Sequence, residues 1–396
     1  MRILIINFTL FYVQKKCPRC NSAHVIKKGF KPIRLGKRNY KYQRFQCQDC
    51  HHFFTLNKNG SRYDSIDLQA QTVFEYLLNR SLRKVKASNA VGKISKDKIL
   101  QILLSAGDRM HEITILNQKL DISWSGNFAL DVTFFRVDGK RNALFLCSDF
   151  KSLDLIGYQI APLENYHYWK LFLLKIHPEL TKDQLLNFFA TDGKKGLHQA
   201  LLEVFPGIPV QLCTTHKQRR INQITPRVRG DGYDKLFSRF AHLAIRAPIK
   251  QMYNSFLDIL IAFKGQDEFL AYPQSRQEKL KKIIGALRYQ NSKLHTRYQY
   301  PDLIGDPTTN HLEGINSFLK ERLKLTRGFK ITGHAEILIK LLIYYYRFHK
   351  FTASSFKERN GRCPIELNNV KNQNLLNKII QGKQPYSWIK NLIKGT

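Results

Sequence analysis

Four cysteines near the start of the chain form two knuckles, Cys17-Pro18-Arg19-Cys20 and Cys47-Gln48-Asp49-Cys50. Two residues between thiolates let both sulfurs reach one tetrahedral zinc, and two such knuckles complete a closed structural site. A disulfide and a redox pair are the other readings of a single C-x-x-C. The doubled knuckle favours one structural Zn²⁺ on Cys17, Cys20, Cys47 and Cys50. Three acids form a second set. Asp131 interrupts the apolar run from Phe128 to Phe135, and a carboxylate there is costly unless it is paired or binds metal. Asp192 follows Phe188-Phe189-Ala190-Thr191 and precedes Gly193, the carboxyl end of a strand, where α/β sheets put their sites. Glu313 lies early in a helix begun by Thr308-Thr309-Asn310. Ser317, Lys320 and Lys324 are its neighbours on that helix face, and Leu312, Ile315, Leu319 and Leu323 make the buried stripe. Each acid alone also reads as a cap or a salt-bridge partner. Together they are hard oxygen donors of the kind that hold two Mg²⁺ or Mn²⁺ ions in phosphodiester chemistry. Lys320 and Lys324 are then placed to hold a phosphate backbone.

The elements that must position these groups follow from periodicity. Residues 14–56 are short, basic and turn-rich, with Tyr40, Tyr42 and Phe45 leading into the second knuckle as a hairpin strand. In residues 64–106 the apolar positions Ile66, Ala70, Val73, Phe74, Leu77 and Leu78 recur at helical spacing. A short helix fits Leu82–Ser88, Gly92 makes a turn, and Ser95 caps Lys96–Ala106. That is the tri-helical pattern of a helix-turn-helix unit. Lys96 and Lys98 then begin the helix that enters the major groove. Strands are expected at Phe128–Phe135, Ala143–Phe150 and Leu155–Pro162, with Asp138-Gly139 as the first hairpin turn. Alternation follows: helix Tyr166–Ile176, strand Phe188–Thr191, helix Lys195–Phe205, strand Pro209–Cys213. The fold class is therefore α/β, with a mixed sheet. Residues 234–290 read as helical, broken at Pro248 and Pro273, and helices return at Asn310–Leu325 and Ala335–His349. The tail, 351–396, is basic and reads as loosely packed.

The charge balance names a partner class. Lys and Arg number 65 against 30 Asp and Glu, a net charge of +35. Such an excess needs a polyanion or a membrane surface to explain it, and since every phosphate met by Lys or Arg releases counterions, the composition suits DNA or RNA. The ribbon carries Lys27, Lys28, Lys31, Arg34, Lys37, Arg38, Lys41 and Arg44 with no balancing acid, so Arg44 and its neighbours are expected to touch phosphates. The apolar stretch Ile3–Val13 is too short to span a bilayer. It lacks a signal-peptide cleavage site and reads as an extra strand or an over-extended start. No membrane partner and a cytoplasmic, nucleoid-associated location are the expectation.

Several blocks carry a family resemblance. Leu130-Asp131-Val132-Thr133-Phe134-Phe135, Ala190-Thr191-Asp192-Gly193-Lys194, Cys213-Thr214-Thr215-His216 and Pro307-Thr308-Thr309-Asn310-His311-Leu312-Glu313-Gly314 resemble bacterial insertion-sequence transposases of the Mutator-like superfamily. The last block continues through Leu319-Lys320 to Arg327-Gly328-Phe329. These are Asp-Asp-Glu enzymes with a ribonuclease-H-like core, and the resemblance runs from about Cys17 to about His349. It implies a catalytic triad of Asp131, Asp192 and Glu313 and an all-helical insertion before the Glu. It also implies an auxiliary pair, Cys213 and His216, near the active site. The organisation implied is a 1–16 extension, a zinc ribbon at 17–56, a helix-turn-helix region at 60–115, and a core at 126–225 and 301–350 around an insertion at 226–300. The basic tail at 351–396 has no match. The activity implied is metal-dependent cutting and joining of DNA by a homo-oligomer on transposon ends and target DNA. A domesticated DNA-binding regulator and a ribonuclease-H-like nuclease without strand transfer are the alternatives. The three acids argue against the first, and the ribbon with its helix-turn-helix against the second.

Overall fold

The computed structural model describes residues 17, 20, 22–35, 38–55, 65–79, 81–87, 91, 94–183, 185–225, 232–302, 310–325 and 329–395. The stretch Ile3–Val13, the Gly92 turn and the residues Pro307-Thr308-Thr309 and Arg327-Gly328 lie outside them. The chain forms two compact units, Met1–Leu68 and Gln69–Thr396.

In the first unit β1 (Val25–Leu35) pairs antiparallel with β2 (Arg38–Cys47), and β2 with β3 (Phe53–Thr55). The register sets Val25 opposite Cys47, so the second knuckle begins where the hairpin ends, beside the first. The Arg44 guanidinium lies 4.2 Å from the centre of the Phe53 ring, and Phe45 stacks on Phe54.

The second unit opens with α1 (Ile66–Asn79), α2 (Leu82–Ala87) and α3 (Lys96–Arg109). The Lys98 N–H donates to Ser95 Oγ at 3.1 Å, the expected N-cap. The helix runs a turn beyond Ala106, and α4 (Ile113–Leu120) follows it. After β4 (Ile122–Ser123) comes the sheet: β5 (Asn127–Val137), β6 (Lys140–Asp149) and β7 (Leu155–Ala161), then α5 (Tyr166–Thr181), β8 (Phe188–Thr191), α6 (Lys195–Val204) and β9 (Val210–Leu212). Strand order is β7-β6-β5-β8-β9. The first three are antiparallel, whereas β8 runs parallel to β5 and β9 to β8. Asp138 and Gly139 both have positive φ, as a tight hairpin turn matching strand twist requires.

From α7 (Thr214–Ile224) the chain is helical through α8 (Gly232–Arg246), α9 (Lys250–Lys264), α10 (Asp267–Leu270), α11 (Gln274–Arg288), α12 (Asn291–Leu294) and α13 (Thr296–Gln299). These helices bury their own core, with Phe237, Tyr253, Leu260, Phe269, Leu280 and Leu287 inside it. Helix α14 (Asn310–Leu325) then returns to the sheet and packs on β5. Phe329 fixes that return: its N–H donates to Arg136 O at 3.0 Å and its carbonyl accepts from Asp138 N at 2.6 Å. Helix α15 (Thr332–Phe348) packs on α3. It is tied to the sheet by the fully buried Arg347, which donates twice to Asp154 at 2.8 Å.

The tail is packed, contrary to its polar composition. β10 (Asn369–Val370) pairs with β4, and α16 (Gln373–Ile380) and α17 (Ser387–Lys394) bury Leu376, Ile379, Trp388, Ile389, Leu392 and Ile393. Each helix has one apolar stripe, enough to close a short element against a neighbour. Trp388 stacks on Phe348 with ring centres 5.0 Å apart. No helix among the described residues is long and apolar enough to cross a membrane.

Candidate functional site

The pairing of β5 with β8 matches Asn127 to Phe188 and Ala129 to Ala190. Continued past the last paired residue, this parallel register sets Asp192 level with Asp131, on strands about 4.8 Å apart. Gly193 turns the chain away with φ +93, and a Cβ there would come 3.0 Å from a Leu212 methyl. The Lys194 N–H donates to Asp192 Oδ1 at 3.1 Å. Cys213 N–H donates to Thr191 O at 2.8 Å, which fixes the start of α7 beside the same strand end.

Asp131, Asp192 and Glu313 line one cleft of about 470 Å³, together with Glu164, Lys194, His216, Arg219, Asn316 and Lys320. Asp131 is only 9% exposed. Its Oδ2 accepts from Asn316 Nδ2 at 2.6 Å and its Oδ1 from Val132 N at 2.8 Å. Burial nevertheless pushes its carboxyl up to about 6, and the charge on Asp192 adds to that push, against His216 and Lys320. Glu313 is gripped through both carboxylate oxygens by Arg219, and its Oε1 lies 3.9 Å from His216 Nε2. Burial alone would lower the His216 imidazole. The Cys213 thiol and the carboxylates of Asp131 and Asp192 outweigh it and hold the group at about 9.

The structure thus brings together Asp131, Asp192, Glu313, His216 and Lys320. Cys213, buried at the N-cap of α7, lines an adjoining cavity with Asp192 and His216. Lys324, farther along α14, is exposed and is not part of the cleft lining. Lys96 and Lys98 sit in the first turn of α3, at its N-terminal end. Arg219 and Glu164 had escaped the sequence reading, and Asn316, part of the block around Glu313, had been given no role. Arg219 and Asn316 each lie three positions after a recognised residue on the same helix, a spacing that faces one way. Glu164 lies between β7 and α5 and pairs with Lys194 at 3.7 Å; no periodicity marks it.

In the first unit, Cys17 Sγ lies 3.6 Å from Cys50 Sγ and Cys20 Sγ 3.5 Å from Cys47 Sγ. All four sulfurs fall within 4.8 Å of one another. A tetrahedral zinc with Zn–S of about 2.3 Å needs sulfurs about 3.8 Å apart, so the cage has the right size. The N–H groups of Cys50 and Asp49 bond to the Cys47 sulfur and lower its pKa, whereas the neighbouring thiols push Cys20 up to about 12. Among the described residues these cysteines are the only group of three or more potential ligands drawn so closely together. The cleft acids face one space but are not closed on it.

The segment from 151 to 347 matches the model of the Mutator family of transposases. This segment belongs to the Mutator transposase family. It contains Asp192, the Cys213–His216 pair, the helical insertion and Glu313, and it begins after Asp131. The transposase for insertion sequence element IS905 of Lactococcus lactis subsp. lactis (strain IL1403) is 25% identical over 222 residues, covering 54% of this chain and 50% of that one. The transposase for insertion sequence element IS1201 of Lactobacillus helveticus is 24% identical over 226 residues, covering 55% and 56% respectively. The chain therefore spans about half the length of the curated relatives it matches. The solved simian T-cell lymphotropic virus intasome, in complex with PP2A regulatory subunit B56 gamma, covers 56% of this chain and 69% of its own. It overlays at 12% identity with a TM-score of 0.19, too low to define a shared fold.

Proposed function

We propose that this protein is a DNA transposase that cleaves and joins DNA at the cleft of Asp131, Asp192 and Glu313. One observation carries the reading: three acids, far apart in sequence, converge on one basic-rimmed cleft in a chain of net charge +35, beside and within a Mutator-family segment. The strand order supports a ribonuclease-H-like core, at 126–225 and 301–350, with an all-helical insertion at 226–300.

The donor set suits two Mg²⁺ or Mn²⁺ ions. Carboxylates are the ligands such hard cations take, and Asp131, Asp192 and Glu313 line one cleft. When bound, the ions supply an activated nucleophile at neutral pH and offset charge on the leaving oxygen. The chain's own groups do the rest. Asn316 orients Asp131, Lys320 and Lys194 hold phosphate oxygens, and the charged His216 stands beside Glu313. Arg219, which pairs with Glu313 here, would have to release it for Glu313 to hold a metal.

The ribbon at 17–56 holds one structural Zn²⁺ and contacts phosphates through Arg44. The region at 60–115 reads transposon ends with α3. The partners are transposon-end and target DNA and further copies of the chain, in the cytoplasm on the nucleoid. The test is incubation of the purified protein with the DNA flanking its own gene and Mg²⁺, scoring nicked and joined products. Binding without either product would point to a domesticated regulator, and nicks without joining to a nuclease.

A further inference from the structure

Beside the acid cleft lies a second cavity, of about 830 Å³. Helix α7 supplies one wall, α11 another, and the turn after β8 a third. The two spaces share Asp192, Lys194, His216 and Arg219. A phosphate in the cleft therefore sits next to the mouth of the cavity.

The cavity has a divided chemistry. Leu212, Ile224, Ala286 and the ring of Tyr289 form an apolar part, and Tyr289 is 45% exposed. Exposed basic groups, Arg219, Arg220 and Lys282 among them, stand around it, and Asp192 is the sole carboxylate of the lining. Gln290 adds a specific polar feature. Its Oε1 is buried without a hydrogen-bond partner. Its backbone takes a left-handed φ of 50°, a conformation uncommon for residues with a side chain. A Cβ on Gly193 would stand 3.3 Å from that oxygen, so the amide lies against the turn that follows Asp192. The ligand such a space fits has a flat apolar face and an anionic tail.

We infer that this cavity receives a single nucleobase, unstacked from the DNA strand whose phosphate lies in the acid cleft. The inference rests on the transposase reading and extends it. Tyr289 offers the stacking face, a sequence-tolerant contact because every base has one. Gln290 Nε2 donates to the Tyr289 hydroxyl at 3.3 Å and so holds that ring at the cavity wall, and the basic mouth follows the backbone. Unstacking one nucleotide costs least beside a nick or a strand end, which is where the cleft acts. It also frees the neighbouring phosphate from the duplex, so that Lys194 and Lys320 of the cleft can reach its oxygens.

Gly285 provides a clean test. It lines the cavity, and a Cβ built on it meets nothing within 4 Å. Gly285→Phe therefore fills the space from a helix interior, where losing a glycine favours the fold. Parent and variant are compared on duplexes ending in the element's own terminus, with 2-aminopurine placed singly along the nucleotides flanking the cut. In Ca²⁺, parent binding should change the fluorescence at one position, and Gly285→Phe should bind equally but remove that change. In Mg²⁺ the variant should cut about tenfold more slowly or worse, and an abasic site at that one position should restore cutting to within about threefold of the parent. Equal cutting by Gly285→Phe, or no fluorescence change at any position in a duplex that the parent binds and cuts, overturns the inference and leaves the transposase reading intact. Loss of the signal to free deoxynucleoside monophosphate, with no abasic rescue, assigns the cavity to free nucleotide instead. A parent that neither binds nor cuts its termini overturns both.

Discussion

Arg219 closes on both carboxylate oxygens of Glu313, from a helix that begins at the end of β9. The guanidinium takes the place a metal cation would need, and a carboxylate so held has few lone pairs left for a second partner. The Arg219 side chain is 55% exposed, so the pair is screened and exchangeable rather than locked. Arg219→Ala should therefore raise affinity for Mn²⁺ alone, without DNA, by about fivefold. Cutting should nevertheless fall, because a phosphate contact goes with the side chain. Titration of the metal followed by spectroscopy reads the first effect separately from the second. An unchanged Mn²⁺ affinity would show that the ion pair does not compete with metal.

The triad makes a stronger demand. Asp131→Asn, Asp192→Asn and Glu313→Gln each keep the shape of the side chain and remove the charge. Each should lower strand cutting by about three orders of magnitude or more while leaving end binding nearly intact. Mn²⁺ should replace Mg²⁺, whereas Ca²⁺ should allow binding with little cutting, since its looser coordination misplaces the reacting groups. Cutting that persists in EDTA, or a Glu313→Gln protein as active as the parent, would sink the metal reading.

Much of this site was legible because its parts are local patterns. The apolar run that Asp131 interrupts, the one before Asp192 and the helical stripe beside Glu313 each announce an element. The level placement of Asp131 and Asp192 was not legible. It depends on which strand β8 joins and in which register, and nothing near residue 188 encodes that choice. Arg219 and Asn316 were within reach by helical spacing, since a residue three positions after His216 or Glu313 shares its face. Glu164 was not, because a connection between elements has no period. The tail misled through its composition. Polar and basic residues fill half of α16 and of α17, yet one apolar stripe per helix, ending in Trp388, Ile389, Leu392 and Ile393, is enough to bury them.

The thiolate cage gives a metal prediction independent of DNA. Metal analysis of the whole chain should find one zinc, and Cys47→Ser should lose it. Cys47 is the suitable position because it is buried and already receives two backbone N–H bonds. With the metal gone the ribbon should open, since such small units depend on the ion for their fold. Protease cleavage should then concentrate within residues 17–56. Zinc retained in full by the serine variant would contradict the assignment.

Helix α3 carries the prediction about sequence recognition. Lys96 is exposed and Lys98 half-buried, both in the first turn, where a recognition helix meets base edges. Replacing both by Ala should weaken binding to element ends by about tenfold or more, and binding to random duplex much less. Equal losses on the two DNAs, with a shallower salt dependence, would mean that these lysines supply charge alone.

His198 links the sheet to the pH dependence of stability. Its Nε2 lies 2.8 Å from Thr191 Oγ1, one residue before Asp192, and its Nδ1 is buried without a partner. Burial, aided by the charge on Lys293, holds the imidazole down to about 4, against an ordinary 6.5. The folded chain therefore binds fewer protons here than the unfolded chain does. Acidification below 6.5 protonates the unfolded imidazole first and favours unfolding, and the loss continues until pH reaches the folded value near 4. The contribution is fully present above 6.5 and shrinks by about 1.4 kcal/mol per pH unit below it. His198→Gln keeps a hydrogen-bonding group beside Thr191 and removes the titration. Urea unfolding at pH 7.5 and pH 5.5 should show the parent losing about 1 kcal/mol more than the variant over that interval. Parallel losses in the two proteins would mean that His198 accepts a proton in the folded state as readily as in the unfolded one, and that the buried imidazole is not held neutral.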